Sequence, residues 1–337
     1  MVVYNKKEVR FMEHMIYFRT DSTDPAYNLA FEEYVLTNCT EGNILILWQN
    51  DNAVIIGRNQ NTAQEIDCAF VAANGIRVIR RNTGGGAVYH DLGNLNYSFI
   101  TDDSADRKGF TEPVVKALQG LGLDACSSGR NDILVNGLKV SGTAQQISKG
   151  RILHHGTLLF DSDPSMIAGA LTPDPTKFQS KGVKSVRSRV GNIRAQLVQD
   201  MDLQAFWRYL ERSLAESLIF SSLTEQEIQK VLQLKAEKYD TWEWNYGKSP
   251  AYALHNKQRF PGGMLDVHLS VAGGKITGIK IYGDFLAVRP VEILETGLVD
   301  CLCRADALRA TLDRLPVADC LGGITAEELI QVILSSN

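Results

Sequence analysis

The stretch Arg80-Arg81-Asn82-Thr83-Gly84-Gly85-Gly86-Ala87-Val88-Tyr89-His90-Asp91 decides how this chain is read. It joins two arginines to three consecutive glycines, with strand-like runs on both sides. Glycine lacks a Cβ, so its backbone can turn sharply and approach a ligand closely. Successive N–H groups in such a loop can cradle an anion. Guanidinium groups add charge and forked donors that suit phosphate or carboxylate. The loop is not a P-loop, because no Gly-Lys-Ser/Thr follows it, and not a dinucleotide fingerprint, because the third glycine is out of place. Spacing alone leaves an anion-binding loop and a tight structural turn both open. The neighbouring arginines favour a site that holds a phosphate beside an acid.

Working outward, residues 76–79 read as the strand that enters this loop. Leu95, Tyr97 and Phe99 alternate with Asn96 and Ser98, the pattern of a half-buried strand. Residues 16–18 read as a strand. Asp24-Pro25 then supplies an N-cap and a first-turn proline for a helix with Leu29, Ala30, Val35 and Leu36 on its apolar face and Glu32-Glu33 within it. Residues 44–48 and 53–56 read as strands joined by a hairpin turn at Asn50-Asp51-Asn52. A helix over 113–121 ends at Gly122. Asn136-Gly137 is a strong two-residue hairpin signal. It pairs Val135 with Leu138, Leu134 with Lys139 and Asp132 with Ser141. Alternation then puts Asp132, Leu134, Lys139 and Ser141 on one face and Ile133, Val135, Leu138 and Val140 in the core.

Residues 153–160 read as a strand carrying His154, His155 and Thr157, with the two histidines on opposite faces. Residues 177–194 hold six lysines and arginines and no acid, and fit no helical or strand period. Helices are expected over 203–218 and 224–234. The Trp242-Glu243-Trp244-Asn245-Tyr246-Gly247 block with Ser249-Pro250 reads as a boundary. Beyond it come a hairpin (264–271 and 275–281) around Gly273-Gly274 and helical stretches over 290–315 and 325–334. The last opens with the Thr325-Ala326-Glu327-Glu328 capping box. The expected division is a large domain over 1–248, with an N-terminal extension over 1–14, and a small α+β domain over 249–337.

Composition sets limits. The 337 residues suit two domains, and 44% hydrophobic with 22% charged residues is ordinary for a globular protein. A net charge of −4 gives no global basic field, so nucleic acid is not an expected partner. No apolar run approaches membrane-spanning length, and no signal-peptide pattern opens the chain. The six cysteines are scattered and form no CxxC pair, so neither a disulfide framework nor a zinc site is expected. A reducing cytoplasm is the expected location. Cys301 and Cys303 are read as lying on different faces of a helix.

The loop from Arg80 through Asn94 resembles the glycine-loop motif of lipoate–protein ligases. Ser128-Gly129-Arg130-Asn131-Asp132 and Lys139-Val140-Ser141-Gly142-Thr143-Ala144 resemble that family's second block. His154-His155-Gly156-Thr157-Leu158-Leu159 resembles its third. Lys181-Gly182-Val183-Lys184-Ser185-Val186-Arg187-Ser188-Arg189-Val190 resembles its adenylate-binding loop. The similarity runs in order from Asp24-Pro25 through the Trp242 block to Ala305-Asp306. It implies an α+β fold shared with biotin ligases and class II aminoacyl-tRNA synthetases, with a mixed sheet, helices and a small C-terminal α+β domain.

The resemblance also implies a reaction. Lipoate's carboxylate attacks the α-phosphate of ATP to give lipoyl-AMP and pyrophosphate. A lysine of a carrier, the lipoyl domain of a 2-oxoacid dehydrogenase complex or the glycine cleavage H protein, then displaces AMP. Lys139 is the expected catalytic residue, bridging the carboxylate and the α-phosphate. ATP and lipoate contacts are carried over to Arg81, Gly84, Gly85, Gly86, Ala87, Val88, Tyr89, Asn131, Asp132, His155, Lys181 and Lys184. Asn131 and Asp132 are candidates for Mg²⁺, with a plain Asp132–Lys139 ion pair as the competing reading. His155 is a candidate to orient substrate or take a proton from the incoming lysine. The 181–189 run is read as a lid that keeps the anhydride dry. The expected cofactors are thus ATP with Mg²⁺, and no prosthetic group.

The nearest alternative is an ATP-independent octanoyl or lipoyl transferase of the same fold. Such enzymes can use a cysteine nucleophile, or a lysine without ATP, and no cysteine lies between Ser127 and Asp300. A biotin ligase has a different glycine loop. A silent lipoyl-domain binder would lack the lysine block.

Overall fold

An eight-stranded mixed sheet carries the first two thirds of the chain. The computed structural model of the protein describes residues 14–60, 62–104, 109–128, 131–171, 190–246, 254–272 and 274–335. The strands are β1 (Met15–Arg19), β2 (Asn43–Trp48), β3 (Ala53–Ile56), β4 (Arg77–Arg80), β5 (Val88–His90), β6 (Asn94–Asp102), β7 (Ala125–Ser128), β8 (Asp132–Val135), β9 (Leu138–Ser148), β10 (Arg151–Leu159) and β11 (Leu218–Ser221). β12 (Leu254–Phe260), β13 (Gly263–Ala272) and β14 (Lys275–Tyr282) follow. The large sheet runs β11-β1-β2-β6-β10-β9-β8-β7, and β4-β3-β5 form a small sheet beside it. β12-β13-β14 form an antiparallel sheet in the C-terminal part.

The Pro25–Asn38 helix begins as the sequence predicts. Asp24 caps it, accepting from the amides of Ala26 and Tyr27. One face of the large sheet packs Tyr17, Leu45, Tyr97 and Phe99 against the Glu112–Gly120 and Leu203–Ser213 helices. The other packs Ile44, Ile46, Ile100 and Leu153 against the Pro25–Asn38 helix. β6 is therefore buried on both faces, not half-buried as its alternation suggests. Its polar face holds a buried hydrogen-bonded network instead of meeting solvent.

Two further expectations are corrected. Asn50-Asp51-Asn52 is not a hairpin turn. β2 pairs with β1 and β6 of the large sheet, whereas β3 pairs with β4 and β5, so the segment passes the chain between sheets. The 290–315 stretch is not one helix. It divides into the helices Glu292–Leu298 and Ala305–Leu312, and the segment with Cys301 and Cys303 lies between them, bonded to β14 by its backbone. The final helix keeps its capping box, with Thr325 and Glu328 bonded reciprocally. Apart from His14, the 1–14 extension lies outside the described residues, as does the 248/249 boundary. Among the described residues no helix is long and apolar enough to cross a membrane.

Candidate active site

The β8–β9 hairpin turns at Asn136-Gly137 with φ of 51° and 78°, the left-handed pair that a two-residue hairpin needs. Val135 sits opposite Leu138 and Leu134 opposite Lys139, as the turn predicts. The register then shifts by a β-bulge, so that Ser141 faces Ile133 and Gly142 faces Asp132. The inserted residue turns Ser141 inward, where it is fully buried, and corrects its expected place on the lysine face. Gly142 comes beside the amine instead. A Cβ there would lie 3.4 Å from Lys139 Cε and Nζ. Lys139 and Asp132 do share a surface: Nζ is 2.7 Å from Oδ1, and each side chain is about one third exposed (36% and 33%). Asn131 is anchored alongside, its Nδ2 donating to the Thr143 carbonyl at 3.4 Å.

Lys139 borders a cavity of about 130 Å³. Leu29, Trp48, Ile55 and Val88 make part of it apolar, while Lys139, Asn131 and Thr143 supply a polar part. Gly86 and Ala87 also line it. Its wall is backed by a chain of buried polar groups. Trp48 Nε1 donates to Ser98 Oγ at 2.9 Å, and Ser98 donates to Glu32. Glu32 accepts from His155 Nδ1 at 3.0 Å. His155 Nε2 lies 2.7 Å from Thr83 Oγ1, which accepts from Arg81 Nε at 3.0 Å. The network thus places the imidazole proton on Nδ1 and the Thr83 hydroxyl proton toward Nε2. Both ring nitrogens are engaged within the protein. His155 also lines the cavity. His154 points the other way, as alternation requires. It stacks on Phe110 at 5.1 Å and bonds Gln145.

The two arginines do different work from the open cradle that the sequence suggests. Arg80 is buried and makes six hydrogen bonds to protein oxygens: the carbonyls of Gly57, Arg58, Gln60, Trp244 and Asn245, and Thr62 Oγ1. It fastens the glycine loop to the Trp242 block, so that block is part of the catalytic unit's packing. Arg81 lines the cavity but spends donors on the carbonyls of Ile55, Gly84 and Gly86. Burial lowers both guanidinium groups to about 10, which leaves them charged at neutral pH. Gly85 has φ +92°, and its amide donates to the Phe285 carbonyl at 2.9 Å instead of standing open. Tyr89 packs with Val54, Ile56 and Val78, and its hydroxyl donates to Asn52. It does not line the cavity.

The segment Phe285-Leu286-Ala287-Val288 lies along the catalytic unit. Beside the Gly85 bond, Ile147 donates to the Val288 carbonyl at 3.0 Å. Leu286 lines the cavity and also a second one of about 650 Å³. The second cavity shares Asn131, Thr143 and Ala144 with the first and adds Asp132, Ser128 and Asp319. Lys181 and Lys184 lie outside the described residues. The chain re-enters them at Val190, which bridges to Lys139, while Gly191 donates to the Lys139 carbonyl. No described cysteine lines either cavity.

Glu32, Trp48, Thr83, His90 and Leu286 escape the sequence reading. His90 was visible in the loop but carried no role. It lines the cavity, buried beside Asn50, and burial pushes it down to about 3, so its ring is neutral. Glu32 sits mid-helix, and only the β10 pairing brings His155 to it.

These features define an acyl-activating ligase fold. Residues 24–215 match the lipoyl protein ligase A/B catalytic domain, and residues 249–333 match the bacterial lipoate protein ligase C-terminus. The chain belongs to the lipoate–protein ligase family. It is 44% identical over 320 residues to the lipoate-protein ligase LplJ of Bacillus subtilis, covering 92% of this chain and 97% of that protein. The lipoate complex of P. falciparum LipL1 superposes with a TM-score of 0.76 at 25% identity, over 89% of this chain and 94% of the other. A lipoate-protein ligase A bound with ATP gives 0.61 at 30% identity, over 70% of this chain and 98% of the other.

Proposed function

We propose that this chain activates free lipoate with ATP and transfers the lipoyl group to a carrier lysine. The observation that carries the reading is the position of Lys139, which lines a small cavity with an apolar part and pairs at 2.7 Å with Asp132, which lines the larger one. The apolar part suits a hydrocarbon chain and its ring. The larger cavity suits a nucleotide. The ammonium, on the wall of the first and paired with an acid of the second, can face a carboxylate and an α-phosphate together. A carboxylate oxygen of lipoate bonds to the α-phosphorus as the bond to the β-phosphate oxygen breaks, and pyrophosphate leaves with that electron pair. The carrier amine then attacks the lipoyl carbonyl, loses its proton, and AMP departs. No protein nucleophile is needed, so rate comes from positioning and charge stabilisation.

Lys139 must exchange Asp132 for the incoming anions. Asp132 and the Asn131 amide then offer oxygens of the kind Mg²⁺ prefers. The ion, when bound with the nucleotide, would offset triphosphate charge. The proposed ligands include Arg81, Gly85 to Val88 and His155, which line the cavity, together with Gly84, and Lys181 and Lys184 as nucleotide contacts. Tyr89 acts through packing. The proposed carriers are lipoyl domains of 2-oxoacid dehydrogenases or the glycine cleavage H protein, modified in the cytoplasm by a catalytic unit ending near 248 and an accessory unit from 249. Incubation with lipoate and ATP should release pyrophosphate and give lipoyl-AMP by mass spectrometry, then a lipoylated carrier. Transfer from an acylated carrier with no adenylate would replace this reading with the ATP-independent transferase.

A further inference from the structure

The β12-β13-β14 sheet buries one face, with Leu265, Val267, Leu269, Ile279 and Ile281, against the C-terminal helices. Its other face carries a cluster that lipoate chemistry does not use. His255 on β12 sits directly opposite His268 on β13. Asp266 lies two residues before His268, and side chains two apart on a strand share a face. Both imidazole Nε2 atoms lie 2.8 Å from the same carboxylate oxygen, Asp266 Oδ1. The rings stack at 4.2 Å with 19° between their planes, so the half-exposed His255 ring must turn to aim both nitrogens at one ion. The three ligand atoms all lie within 4.8 Å of one another.

We propose that His255, Asp266 and His268 form a binding site for a divalent first-row transition metal, independent of the acyl-transfer site. Two imidazoles and one carboxylate suit zinc, cobalt, nickel or copper; magnesium and calcium want oxygen donors throughout. Metal bonds of about 2.0–2.1 Å at tetrahedral angles separate ligand atoms by roughly 3.3 Å, so the present 2.8 Å contacts need to open by only about half an ångström. The frame is firm, because the ligands sit on adjacent paired strands. Asp266 is almost fully buried, while His255 is half exposed and leaves a route for the ion. Of the nearby lysines, Lys257 approaches the other oxygen of the same carboxylate, Asp266 Oδ2, at 4.0 Å and leaves Oδ1 to the imidazoles, while Lys280 pairs with Glu295. An ion here would tie β12 to β13 and keep its remaining positions for water.

The test uses the full chain without a histidine tag. Zinc or nickel titrated by calorimetry should bind at one equivalent in the micromolar range or tighter. Cobalt should give a visible absorption band. His268→Ala and His255→Ala should each weaken binding by at least ~100-fold, since even groups supporting a ligand are worth 10–100-fold. Lipoyl-AMP formation should stay unchanged in both. Should His268→Ala fail to fold, the half-exposed His255→Gln serves in its place, and anomalous scattering from a zinc-soaked crystal of the unaltered protein must show the ion between the three side chains. Absence of micromolar binding, or equal affinity in the His255→Ala/His268→Ala double variant, would reduce the cluster to an ordinary histidine–aspartate pairing.

Discussion

The Lys139 ammonium faces the Asp132 carboxylate at 2.7 Å, and the bulge in β9 sets Gly142, with no side chain, beside that pair. The amine is thus held on the wall of the smaller cavity by an acid that lines the larger one. Replacing it by alanine removes a partly exposed side chain, so the fold should survive. Lys139→Ala should lower pyrophosphate release with lipoate and ATP by ~10²–10³-fold. Activity at the unaltered level in a folded Lys139→Ala protein would remove the lysine from the chemistry.

The glycine loop meets the C-terminal segment at backbone distance. A Cβ on Gly84 would lie 2.7 Å from both the Ala287 nitrogen and the Phe285 carbonyl oxygen. Neither is a flexible side chain, so the segment carrying Leu286 must shift. Gly84→Ala should cut adenylate formation by about 10²-fold, the usual loss for a misplacement near 1 Å. Steady-state kinetics with normal circular dichroism would check it, and an unaltered rate would show that Leu286 need not stay in place.

Glu32 accepts from both Ser98 and His155 in the buried network. Glu32→Ala leaves two buried donors without an acceptor, at ~1–3 kcal/mol each. Urea unfolding should show a loss of stability of that order. A loss below 0.5 kcal/mol, roughly that of an ordinary surface substitution, would contradict the network.

Burial pushes both His90 and His154 down to about 3, well below the ordinary histidine value near 6.5. The unfolded chain therefore binds protons that the folded chain refuses. Their contribution is complete above about pH 6.5 and is lost as the pH falls toward 3. In that window each should remove ~1.4 kcal/mol of stability per pH unit. Denaturation at pH 7, 6 and 5 would show it, and His154→Gln should flatten the slope.

Val190 and Gly191, which follow the basic run with Lys181 and Lys184 in the sequence, dock on the Lys139 strand. Neutralising both lysines should raise the KM for ATP more than that for lipoate. Equal changes in the two constants would deny the run a nucleotide role.

Local chemistry was legible where one short signal decided the outcome. Asn136-Gly137 set the pairing of Leu134 with Lys139, Asp24-Pro25 started a helix, and alternation sent His154 and His155 to opposite faces. What failed depended on distant partners. Asn96 and Ser98 look solvent-facing until β6 is placed between two layers. The bulge that exchanges Ser141 for Gly142 leaves no local mark. Arg80 reads as an anion ligand because six carbonyl and hydroxyl partners, scattered from Gly57 to Asn245, cannot be seen together along the chain. His255 and Asp266 are eleven residues apart and meet only through strand pairing.

Arg80 also bears on how this enzyme can be cut. Its bonds to Trp244 and Asn245 join the loop to residues that lie beyond position 215, where the catalytic-domain match stops. A fragment trimmed to that length would strand a guanidinium in the interior with two acceptors gone, and the triple-glycine turn would lose its mooring. The smallest working piece must reach at least to Asn245.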